Sequence, residues 1–255
     1  MPRKPAKWLY RLIYRSVKLL SPKYEIIGTE NLPEGGCAII GNHCHMYGPI
    51  AAELYTPGPH DTWCAAEMMH LKEVPAYAYR DFWSHKPRAV KPFFKLLSYL
   101  IAPLAVVVFN NAHTIEVYHD LRVMSTFRTS VEKLSQGHRV VIFPEHAAPH
   151  NNILCDFQEN FVDMALLHYK KTGEALRFVP MYLCPALKKM LFGAPVVFDP
   201  GVALAKERER VCNALMDEIT RLALSLPKHR VVPYPNMPTG EYPESKPLTD
   251  YTAKP

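Results

Sequence analysis

A helical period that runs straight into an apolar strand is the feature that most restricts the fold. Ile115, Tyr118, Leu121, Met124, Phe127, Val131 and Leu134 recur at three- and four-residue spacing. That spacing predicts a helix over 114–136, capped by Thr114 and stopped at Gly137. "RVVIF" (139–143) follows at once, an apolar, β-branched run of strand length. The alternation recurs along the chain. Strands are predicted over 24–28, 37–41, 62–66, 177–183 and 195–198, and over 105–109, where "AVVVF" has the unbroken apolar character of a strand covered on both faces. Helices are predicted just after Pro49, with Ile50, Leu54 and Tyr55 inward, and over 159–172 and 203–225. Strands alternating with helices imply an α/β fold: a mixed, mainly parallel sheet flanked by helices.

Three segments are expected. Residues 1–22 hold an amphipathic helix, with Lys7, Arg11, Arg15 and Lys18 on one stripe and Leu9, Ile13, Val17 and Leu20 on another. Such a helix suits an anionic membrane surface or, equally, docking on its own domain. Residues 23–226 form the α/β domain, and 227–255 a Pro-rich tail, extended or disordered. A net charge of +6 favours anionic partners. The basic residues beyond the first helix do not cluster with aromatics, which argues against nucleic acid. Six scattered cysteines without a CxxC pair fit reduced thiols in a cytosolic setting. The stretch 96–109, interrupted by Pro103, is too short to span a bilayer, and no secretory signal is evident. No glycine-rich nucleotide fingerprint is present. Oligomeric state leaves no pattern in the sequence.

Sites in such sheets collect at the C-terminal ends of strands. Two strand ends carry polar residues: Asn42-His43-Cys44-His45 after "CAIIG", and Phe143-Pro144-Glu145-His146 after "RVVI". With "AVVVFNN" and "RFVPMYL" in the same order, the chain resembles the glycerolipid acyltransferases over about 24–225. Asn42-His43 is similar to that family's NHxxxxD block, and Phe143-Pro144-Glu145 to its FPEGTR block. The resemblance implies acyl transfer from acyl-CoA or acyl carrier protein, as co-substrate and without a further cofactor, to a hydroxyl of a lipid acceptor. It implies a peripheral site on the cytoplasmic face of a membrane. It makes His43 the general base.

The chain departs from the pattern at several positions. Gly48 stands where the family has its aspartate, Asn111 where the second block has arginine, and His146-Ala147-Ala148 where the third has Gly-Thr-Arg. Loss of a comparable carboxylate costs a serine-protease triad about four orders of magnitude in rate. Loss of the arginines removes bidentate clamps for a phosphate, so lysophosphatidate is disfavoured as acceptor. The expected catalytic residues are His43 and Glu145. Asn42, His45, Asn111, Pro144 and His146 are expected to bind substrate. Glu145 or Asp156 could support His43, whereas Glu53 points away; Glu145 could instead accept backbone N–H bonds from a loop. A non-catalytic lipid-binding protein is one alternative. A metal-dependent hydrolase built on His43, His45, His146 and His150 is another. Cys44 fits a small buried residue better than a nucleophile.

Overall fold

The computed structural model describes residues 6–84 and 86–245. Residues 1–5 and 246–255, the outer ends of the first and last expected segments, lie outside the described residues. In chain order the elements are α1 (Lys7–Leu20), β1 (Glu25–Ile27), β2 (Cys37–Gly41), α2 (Tyr47–Tyr55), β3 (His60–Ala65), α3 (Val74–Ala78), α4 (Lys91–Asn111) and β4 (Thr114–Val117). They continue with α5 (Val123–Ser135), β5 (Arg139–Ile142), β6 (Glu145–Pro149), β7 (Cys155–Phe157), α6 (Asp163–Thr172), β8 (Arg177–Cys184), β9 (Lys189–Phe192), β10 (Val196–Val197) and α7 (Leu204–Leu224).

Two compact units form. The larger comprises Pro22–Asp61 and Phe127–Pro255, the smaller Met1–Ser21 and Thr62–Thr126. In the larger unit the strands run β1-β9-β8-β2-β5. β2 pairs parallel with both β5 and β8, β1 pairs parallel with β9, and β8 pairs antiparallel with β9 and β10. The sheet is therefore mixed and largely parallel, as the alternation predicts.

Every residue of β2 is buried, as expected of a strand covered on both faces. Ile39 is level with Val141 and Val179, and the three pack with Ala51 and Ala52 of α2. Ala38, on the opposite face, is level with Phe178, whose ring meets Phe161 edge-on at 5.7 Å. α7 lies on β8 through a buried stripe that includes Val211, Leu215 and Ile219. α2 turns Gly48, Ala51 and Ala52 inward. The predicted inward residues Ile50, Leu54 and Tyr55 are only partly buried.

Two sequence readings are corrected. Residues 105–109 belong to α4, not to a strand. A short apolar run has no period that separates a buried strand from a buried helix, and Pro103 is tolerated on the exposed side of the helix. The predicted helix over 114–136 divides into β4 and α5. Thr114–Val117 pairs parallel with β3, Trp63 level with Ile115. Leu121, counted on the apolar face, is 98 % exposed. Thr114 does not cap α5 but donates its hydroxyl to Phe109 O at 2.6 Å; in the turn before α5, Asp120 Oδ1 accepts Arg122 N–H at 2.8 Å. The sequence reading also lacked β9 and the β6–β7 hairpin.

Residues 229–245 form an extended loop that closes on itself. Val231 N–H donates to Pro243 O, and Ser245 N–H to His229 O. His229, Val231, Val232 and Ser245 are buried, and the Tyr182 hydroxyl lies 2.7 Å from His229 Nε2.

Candidate active site

The loop after β2 is held by its first residue. Asn42 is 2 % exposed. Its Oδ1 accepts Leu183 N–H at 2.7 Å and its Nδ2 donates to Leu183 O at 3.0 Å. The side chain thus continues the β2–β8 pairing one residue past the strand. Nδ2 also lies 2.8 Å from Cys44 Sγ. These anchors offset a strained turn: Cys44 and His45 both take left-handed backbone angles, φ 47° and 53°, which cost non-glycine residues roughly 1–3 kcal/mol each. The turn places His43 O against α2, where it accepts Gly48 N–H at 3.2 Å.

Glu145 opens β6 at the end of the neighbouring strand and is buried. One carboxylate oxygen accepts His43 N–H at 2.6 Å and the other Cys155 N–H at 3.0 Å. Positions 43 and 145 therefore meet in one site, through the backbone of His43 rather than its ring. Burial pushes the Glu145 carboxyl up to about 7, against the pull of the two N–H donors.

The His43 imidazole rests edge-on against Phe143, centroids 5.4 Å apart, and Tyr234, 5.8 Å. Burial, assisted by the nearby His45 ring, pulls its pKa down to about 4, while a backbone hydrogen bond at His45 acts in the opposite sense. Among the described residues no carboxylate hydrogen-bonds this ring. At neutral pH the imidazole is uncharged, with no acid to stabilise its protonated form.

The remaining candidates fall elsewhere. His45 is held by the C-terminal segment, its Nε2 3.3 Å from Pro235 O and its Nδ1 3.5 Å from the Tyr242 hydroxyl. Pro144 is buried, and its carbonyl accepts Gln158 N–H at 2.9 Å. His146 Nδ1 accepts Ala148 N–H at 3.3 Å, and its Nε2 lies 4.0 Å from Asp156 Oδ2. His150 is exposed on the β6–β7 hairpin loop. Among the described residues, His43, His45, His146 and His150 do not bring three ligand atoms to one point. Asn111, in the smaller unit, donates Nδ2 to Val107 O at 2.7 Å; its assignment assumed a strand over 105–109 that is helix. The Cys44 thiol is fully buried and pushed well up, by burial first and then by Glu145, so its nucleophilic thiolate is suppressed.

Sequence reasoning missed Tyr234, Pro235 and Tyr242, the residues that cover the two histidines. Their only sequence signal is aromatic residues within a Pro-rich stretch.

Gly48 has no space for a side chain. A Cβ built there would lie 2.2 Å from His43 O and 3.2 Å from Phe143 Cε1.

No family model matches the chain, and no curated protein matches it. Among solved structures, the crystal structure of the 1-acyl-sn-glycerophosphate (LPA) acyltransferase PlsC from Thermotoga maritima aligns with 87 % of this chain and 84 % of that chain, at TM-score 0.43 and 13 % identity. Backbone likeness at that level does not establish shared chemistry.

Proposed function

We propose that the chain transfers an acyl group from a thioester, acyl-CoA or acyl carrier protein, to a hydroxyl of a lipid-like acceptor, with His43 as general base. The observation that carries this reading is Glu145 gripping the backbone N–H of His43, whose imidazole burial keeps neutral. A hydroxyl is a poor nucleophile at neutral pH, and an uncharged imidazole within hydrogen-bond reach removes its proton as it attacks. The hydroxyl oxygen bonds to the thioester carbonyl carbon, the C–S bond breaks, and the departing thiolate takes the proton from the imidazolium. Glu145 fixes the backbone that carries the base. Ala148, where the resembling family has arginine, supports an acceptor without a phosphomonoester.

A non-catalytic lipid-binding role is the second reading. It is favoured by Gly48, packed on His43 O, and by Tyr234, seated on the ring. Thioester consumption against a panel of lysophospholipids, monoacylglycerols and fatty alcohols separates the two. Turnover that disappears in His43→Ala supports transfer. Co-purifying lipid seen by native mass spectrometry, with no His43-dependent turnover, supports binding and sinks the transferase.

A further inference from the structure

The smaller unit carries an apolar surface that its own packing leaves uncovered. α4 packs one side, including Ala102, against Met68, Val74 and Ala78. Its other side presents Phe93, Leu96, Tyr99 and Leu100, each at least 60 % exposed, with Leu104 completing the stripe. α1 packs against α4 within the same unit. Of the apolar stripe read from the sequence in α1, Leu9, Ile13 and Val17 are partly covered, while Leu20 is bare, as are Trp8, Leu12 and Leu19. Lys7, Arg11, Arg15 and Lys18 are exposed beside that bare stripe. Neither α1 nor α4 contains an acidic residue.

An apolar and aromatic surface on two helices whose charged residues are all cations matches one partner chemistry, a bilayer with anionic headgroups. A second protein surface of the same area would have to supply the anions as well. By length and composition the helix over Arg88–Asn111 could cross a membrane. Most of that helix is not buried, but its exposed residues lie along one side. The bare stripe runs from Phe93 to Leu104, about 17 Å at 1.5 Å per residue, against a hydrocarbon core of about 30 Å. Beyond it, Ala105, Val106 and Phe109 are packed in the unit's own core.

We propose that α1 and α4 form a docking face for an anionic lipid bilayer, with α4 lying in the interface rather than spanning it. The face belongs to the smaller unit and is independent of the chemistry proposed for His43.

The test is flotation of the full chain with vesicles of phosphatidylcholine alone or with about one-third phosphatidylglycerol, at low and high salt. The face predicts binding to the anionic vesicles that weakens with salt. Each cation near the surface contributes about fivefold, so Lys7→Gln, Arg11→Gln and Arg15→Gln together reduce binding about a hundredfold. The Leu96→Asp, Leu100→Asp double variant changes only exposed positions; it is expected to keep the wild-type circular dichroism and melting temperature and to lose vesicle binding. Alkaline carbonate is expected to release the bound chain. Three results overturn the proposal: equal binding to neutral vesicles, resistance to carbonate, or a stable dimer that becomes monomeric in the double variant and binds no vesicles.

Discussion

Gly48→Asp installs the aspartate that the resembled acyltransferase pattern carries at this position. The structure predicts that it damages the fold instead. The new Cβ would sit 2.2 Å from His43 O, where carbon and oxygen rest roughly 3.2–3.5 Å apart. The loop must open by roughly 1 Å, and overpacking of that kind costs about 1–3 kcal/mol. The Gly48 N–H bond to His43 O, 3.2 Å long, weakens as the loop opens, adding about 1 kcal/mol. A carboxyl at this buried position, protonated and without a hydrogen-bond partner, adds about 1–3 kcal/mol more. The sum is about 3–7 kcal/mol, measured as a lower urea midpoint by circular dichroism, with no gain in thioester turnover. Gly48→Ala isolates the steric part and is expected to cost about 2–4 kcal/mol. The reasoning fails if Gly48→Ala is neutral, or if Gly48→Asp keeps wild-type stability and raises turnover a hundredfold or more.

Two further substitutions probe the supports of the loop. Asn42→Ala leaves the buried Leu183 N–H without its partner and the Leu183 carbonyl with only the weak Cys44 thiol donor at 3.5 Å, and is expected to cost about 1–3 kcal/mol in urea unfolding; a loss under 0.5 kcal/mol would show that the side chain does not hold the strand end. Glu145 has a folded-state pKa raised from 4.5 to about 7, so its contribution to stability is complete below about pH 4.5 and is lost as pH rises through 7. Wild type is therefore expected to lose up to about 3 kcal/mol between pH 5 and 8, and Glu145→Gln to lack that slope. Parallel stability curves for the two proteins would contradict the burial assigned to this carboxyl.

The sheet was legible because its strands carry a strong local signal. "CAIIG" and "RVVI" are β-branched runs bounded by glycine or polar residues, and they are the adjacent strands β2 and β5. α7 was legible from its period over more than five turns. The 105–117 region was not. An apolar run gives no period, and "TIEV" fits a helical spacing that only pairing with β3 overrides. His43 and Glu145, each at a strand end, were expected to be neighbours because the acyltransferase resemblance brings their two blocks together. What the sequence could not choose was which atom of His43 the carboxylate meets, because a backbone N–H is the same in every non-proline residue. Tyr234 was hidden for a related reason: composition marks 227–255 as Pro-rich, and only tertiary packing brings that ring onto His43.

The proposed base is an uncharged His43 ring, with Glu145 gripping the main chain and, among the described residues, no carboxylate hydrogen-bonded to the imidazole. Nitrogen NMR of histidine-labelled protein, with the His43 signal identified by its loss in His43→Asn, reads that state directly between pH 8 and pH 4. The ring is expected to stay neutral until the pH falls to about 4. A midpoint at or above 6.5 would mean that water or a carboxylate reaches the imidazole, and the site described here would be wrong.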